Sequence, residues 1–172
     1  MVSPATTSST STSGTPPLSA EDRTRLQSAL YSAGEQVRRE VVGDAYVDRS
    51  LAATASSSVQ TGDGRGFSMP MQEIATSFAW GSIWTRPGLA RRDRSILNIG
   101  MLAALNRNTE LGTHIRGALN NGLSVEEIQE CLLQVSAYVG MPAGMESFRV
   151  AEAAILEWTA QQKEHQDQNQ KA

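Results

Sequence analysis

The chain has 172 residues, 40% hydrophobic and 19% charged, which suits one domain whose core needs no disulfide or metal to hold it. With 15 basic against 18 acidic residues, the net charge of -3 supplies no positive field to hold nucleic acid. One cysteine, Cys131, and two histidines argue against an intramolecular disulfide and the usual zinc site, and fit a reducing, cytoplasmic compartment.

Ten of the thirteen residues from Ser3 to Thr15 are Ser or Thr, so residues 1–18 read as a disordered leader with nothing to bury. This stretch lacks the apolar run of a secretory signal, and the first 20 residues lack the arginines of a transit peptide. Residues 19–163 read as one helical domain and 164–172 as a polar tail that frays. Ser19 and Asp22 mark a weak helix start, Leu26, Ala29, Leu30, Ala33 and Val37 recur at helical spacing, and Gly43 ends the helix. A short helix fits Ala45 to Ala53. Residues 54–68 form a polar, glycine-rich loop of a length that is often functional or mobile. Ser68 and Pro70 predict a helix running to about Trp84, broken at Arg86-Pro87-Gly88.

The next predicted helix spans about Arg91 to Leu105. Its apolar stretch, Ile96 to Leu105, is interrupted by Asn98 and is too short to span a bilayer. Asn106–Asn108 is a turn before a helix over Glu110 to Asn120, which Asn121-Gly122 stops. Ser124 and Glu127 form a capping box before a helix over Val125 to Val139. Gly140-Met141-Pro142 breaks that helix, and a last one runs from Ala143 to about Gln162. No alternating strand pattern of useful length occurs, so the fold class is all-α, a compact domain of six to seven helices. Wide apolar stripes with alanine and glycine on the packing faces point to a homo-oligomer.

Candidate chemistry gathers in two places. Glu110 and His114 lie four apart on one helix face, beside the core stripe of Leu111, Ile115, Ala118 and Leu119. Such a pair is either a surface contact worth a few tenths of a kcal/mol or a device in which the carboxylate fixes the imidazole and raises its pKa. Arg116 projects to another side of the same helix. Upstream, Trp80 and Trp84 share a face and read as core, with Gly81 beside them allowing close packing. Four arginines, Arg86, Arg91, Arg92 and Arg94, fall within nine residues, and either hold carboxylates bidentately or form a solvated helix start. Cys131 reads as a small buried core residue, because nothing in the sequence supplies the base a nucleophilic thiol needs.

Three runs together resemble the carboxymuconolactone decarboxylase family. The first is Trp80-Gly81, Trp84, Arg86-Pro87-Gly88-Leu89, Arg94-Ser95 and Ala103-Ala104-Leu105. The second is Glu110-Leu111, His114 and onward to Gly122. The third is Glu126-Glu127-Ile128 with Tyr138, Gly140, Pro142 and Ala143. The stretch from Gly34 to Leu51 is also similar, so the resemblance covers roughly residues 30–158. It implies an all-α, alkylhydroperoxidase-like fold assembled as a trimer or hexamer, and loss of carbon dioxide from a small-molecule lactone acid without metal or organic cofactor. The thiol-peroxidase branch uses Cys-x-x-Cys followed four residues later by His. Here Glu110 occupies the second cysteine position, which argues against that chemistry.

The resemblance implies catalytic His114 and Glu110, with a substrate-binding set of Arg86, Arg94, Trp84, Arg116 and Tyr138. Arg86 and Arg94 would hold substrate carboxylates, and His114, oriented by Glu110, would protonate the dienolate left after decarboxylation. A substrate with its own electron sink needs no cofactor. The leader, the 54–68 loop and the run Gly144-Met145-Glu146 depart from the compact bacterial pattern and leave a natural-product tailoring enzyme as the alternative. A non-catalytic oligomeric scaffold is the alternative of another class. Neither nucleic acid nor membrane is an expected partner.

Overall fold

A computed structural model describes residues 17–169. The expected Ser/Thr-rich leader therefore lies almost wholly outside the described residues. The described chain forms α1 (Ala20–Val42), α2 (Asp44–Ala55), α3 (Met69–Ile74), a π-helix (Ala75–Trp84), α4 (Arg91–Ala104), α5 (Asn108–Asn120), α6 (Val125–Val139) and α7 (Met141–Asn169). Among the described residues there is no strand, only one isolated antiparallel bridge between Gln60 and Gly66. None of these helices is long and apolar enough to cross a membrane.

Local signals explain most helix ends. The Ser19 hydroxyl accepts from the Asp22 backbone N–H at 3.0 Å and starts α1. Gly43, at φ 89°, turns the chain into α2 in a conformation that side chains rarely adopt. The Ser124–Glu127 capping box is formed in both directions at the start of α6. Two elements differ from expectation. The helix expected from Ser68 to Trp84 is a short α-turn followed by ten residues of π-helix, a wide form that is uncommon and concentrates at functional sites. The last helix continues to Asn169, because its Gln-, Lys- and Glu-rich end keeps high helix propensity after packing has ceased. The 54–68 loop folds back on itself, with Phe67 N–H donating to the Val59 carbonyl at 2.9 Å.

Two apolar clusters meet along α5. One is built by α4, α5, α6 and α7, with Ile99, Leu111, Ile115, Ile128 and Leu132 all but sealed from solvent. The other joins Val37, Val41, Val42 and Val47 of α1 and α2 to Trp80 and Trp84 of the π-helix. In this second cluster the α1 and π-helix backbones touch. A Cβ on Gly34 would sit 2.1 Å from the Thr76 carbonyl oxygen, and one on Gly81 would sit 2.1 Å from that of Leu30. Arg38, only 7% exposed, anchors the same crossing by donating to Gln72 Oε1 (3.0 Å), Thr76 Oγ1 (3.2 Å) and Ser50 Oγ (3.3 Å).

Outer faces remain apolar. Met71, Ile74 and Phe78 run along α3 and the π-helix with Phe67 just before them, and Leu97 and Met101 along α4 with Leu105 at its C-terminal cap. Exposed stripes of this kind are where soluble chains meet partners.

Candidate active site

His114 sits where the two clusters meet. Its α5 turn is fixed by Ile115 and Leu111, both fully buried in the α4–α7 core, which leaves His114 directed at the π-helix. The ring lies nearly parallel to Trp80 (centroids 6.1 Å apart, 7° between planes) and to Trp84 (6.3 Å, 19°). The two indoles stack on each other at 4.9 Å, so they form one aromatic wall beside the imidazole. Trp84 is therefore both core, as its spacing indicated, and part of the site.

The hydrogen-bond partner of the ring is Asn98 of α4, whose Nδ2 lies 3.4 Å from His114 Nδ1. Among the described residues His114 Nε2 has no protein partner. Glu110 stands one turn before His114, but its carboxylate is exposed and makes no hydrogen bond to the ring. The expected rise in His114 pKa is reversed. Burial pushes it down from 6.5 to about 4, and the charge on Glu110 offsets only part of that. At neutral pH the imidazole is uncharged.

Arg94 lies one turn before Asn98 on α4, so the two side chains share the face that meets His114. Its NH2 donates to the Arg86 carbonyl at 3.0 Å, which ties α4 to the chain leaving the π-helix. No carboxylate among the described residues pairs with Arg94. Its Nε is the one buried side-chain polar atom among them without a partner. A guanidinium in that state is suited to an incoming carboxylate. By contrast Arg91 and Arg92 are paired, with Glu40 at 2.5 Å and with Glu127.

The other two expected residues are not brought to His114. Arg116 pairs with Glu157 at 3.1 Å, lies 5.8 Å over the Tyr46 ring, and lines a separate cavity of about 550 Å³ with Arg49 and Trp158. Two residues from His114 on a helix, it must face elsewhere. Tyr138 is 83% exposed near the end of α6. Cys131 packs at the edge of the α4–α7 core, where burial pushes its thiol pKa up, so it is no ready thiolate. Asn98 is the residue that sequence reasoning missed. Its signal was a lone amide inside the apolar stretch of α4.

The arrangement is an uncharged imidazole with one nitrogen bonded to Asn98, an aromatic wall and a cation that lacks a carboxylate partner among the described residues. The model of the Carboxymuconolactone decarboxylase family matches residues 70–153, which contain all of these groups. Over 130 residues the chain is 37% identical to a nitrosuccinic acid decarboxylase of Metarhizium robertsii, covering 76% of this chain and 84% of that protein. Over 122 residues it is 38% identical to a 4-carboxymuconolactone decarboxylase of Acinetobacter baylyi, covering 71% and 84%.

Proposed function

The chain belongs to the carboxymuconolactone decarboxylase family, and from that premise we propose that it is a carboxy-lyase working on a small polycarboxylic acid at His114. The observation that carries the reading is an Arg94 without a carboxylate partner among the described residues, on the same face of α4 as the Asn98 that meets a largely buried His114.

The chemistry follows from what the site offers. In a carboxymuconolactone the carboxylate leaves the γ-carbon of an unsaturated lactone, and its electrons pass through the double bond to the lactone carbonyl. In nitrosuccinic acid a nitro group can take the electrons when the adjacent carboxylate leaves. Both acids carry their own electron sink, so the reaction asks the protein for three things. It must hold carboxylates, keep bulk water from screening the developing charge, and stabilise the oxygen that becomes negative. Arg94 holds a carboxylate, with the exposed Arg86 beside it as the second cation. Trp80 and Trp84 close one side against water. His114 faces the reacting group.

Glu110 influences the ring through its charge rather than by orienting it, since the ring's hydrogen bond goes to Asn98. The exposed stripes on α3, the π-helix and α4 support a homo-oligomer as the working form. The similarity to the nitrosuccinic acid enzyme favours a second reading of the substrate, a biosynthetic acid in place of the catabolic lactone, with the same chemistry.

The test is carbon dioxide release from carboxymuconolactone and from nitrosuccinic acid, each supplied to purified protein. We expect release from one of them, and a loss of roughly 10²–10³-fold in His114→Ala with unchanged helical content. Folded wild-type protein that releases nothing from either acid sinks the reading, as does a fully active His114→Ala.

A further inference from the structure

We propose that His114 acts as a neutral imidazole whose Nε2–H donates to the oxygen that gains negative charge as carbon dioxide leaves, and that Asn98 is the positioning residue holding the ring in that tautomer. The inference rests on the decarboxylation reading above and assigns one atom its role.

The Asn98 contact is the starting point. An amide nitrogen can only donate, so with Nδ2 at 3.4 Å the ring offers the Nδ1 lone pair, and the single proton of a neutral imidazole then sits on Nε2. That nitrogen has no protein partner among the described residues, so its N–H is free to bond an oxygen of the substrate. The environment maintains this state. The π-helix contributes only the faces of Trp80 and Trp84. From α4 comes the neutral Asn98, with Arg94 one turn before it on the same helix. On α5 the one opposing charge is Glu110, and burial outweighs it.

A donor of this kind stabilises charge without surrendering its proton. The use of an uncharged, burial-tuned or dipole-tuned histidine as an electrophile is known chemistry. Here the bond from the carboxyl carbon to its neighbour breaks, and the electron pair moves into the lactone carbonyl or the nitro group. The Nε2–H bonds to the oxygen that receives it. Water delivers the proton to the carbon, and the imidazole ends the cycle as it began. This differs from the expectation that His114 is itself the proton source.

The chain has two histidines, so ¹⁵N-histidine labelling with a His165→Gln background isolates His114. At about pH 7 we expect an unprotonated Nδ1 and a protonated Nε2. Asn98→Leu is expected to mix the tautomers and to lower kcat about tenfold with KM little changed. Asn98→Asp replaces the donor with an acceptor. It is expected to move the proton to Nδ1 and to make kcat fall as pH rises through the ring's new titration, where wild-type kcat stays level. A wild-type ring protonated at Nδ1, or charged at neutral pH, overturns the proposal, as does an Asn98→Leu ring with an unchanged tautomer. If neither acid yields carbon dioxide, the decarboxylation reading falls and takes the oxyanion role with it. The nitrogen spectrum still decides the part assigned to Asn98.

Discussion

In the half built by α4 to α7, the aliphatic side chains of Ile99, Leu111, Ile115, Ile128 and Leu132 fill most of the space, and Gly100 of α4 has nothing within 4 Å of where a Cβ would stand. The close approach at Gly144 of α7 meets the Ser136 side chain of α6 first, its hydroxyl 1.9 Å from where a Cβ would stand. In the half built by α1, α2 and the π-helix, the backbones of Gly34 and Gly81 touch the neighbouring helix. A buried Arg38 takes a place that aliphatic carbon would fill elsewhere, and two indoles stack in the seam. The first half resembles any well-packed helical core. The second is built around positioning, since one close crossing and one arginine fix the turn of π-helix that carries Trp80 and Trp84. The candidate site lies where a rigid face of the first half meets the aromatic wall of the second.

That contrast predicts that stability and activity respond differently in the two halves. The largest loss of stability is expected from Leu132→Ala, roughly 2–5 kcal/mol in urea unfolding, with turnover per folded molecule close to wild type because the aromatic wall is untouched. Gly81→Ala should cost less stability, about 1–3 kcal/mol, because the helices must move apart to admit the methyl group. It should cost more activity, because Trp80 and Trp84 move with the helix. A Gly81→Ala protein with wild-type turnover breaks the comparison.

Acid sharpens it at the seam itself. His114 has its ordinary pKa of 6.5 when unfolded and about 4 when folded, so between those values the unfolded chain binds a proton that the native protein does not. Stability therefore falls as pH drops from 6.5 towards 4, by an amount on the order of 3 kcal/mol attributable to this ring. Comparing wild type with His114→Asn across that window measures it, and an identical pH dependence in both contradicts the burial argument. The smallest effect is expected from Gly100→Ala, a gain of about 0.5–1 kcal/mol from reduced backbone freedom on an open helix surface.

Much of the fold was legible because its signals act within a turn or two of chain. Ser19, the Ser124–Glu127 box, Gly43 and Gly140 set helix ends through their own hydrogen bonds and backbone angles, and the apolar periodicity marked which faces go inside. The sequence also placed His114 and Glu110 on one face, put Trp80 and Trp84 together, and named Arg86 and Arg94 as carboxylate-binding candidates. It pointed to no partner for His114 other than Glu110, since the actual contact comes from Asn98, sixteen residues away on another helix.

What the tertiary structure alone decided is how those faces meet. It set the sign of the His114 shift, because burial by neighbouring helices outweighs a charge one turn away. It separated Arg94, left without a counter-ion beside the seam, from Arg116, which turns to Glu157 on α7. It also widened the helix before Trp84 into a π-helix at the α1 crossing. Helix propensity and capping are short-range energies written in neighbouring residues. Partner choice, exposure and protonation depend on the angle and distance at which distant helices cross, and those are fixed by the packing of the whole chain.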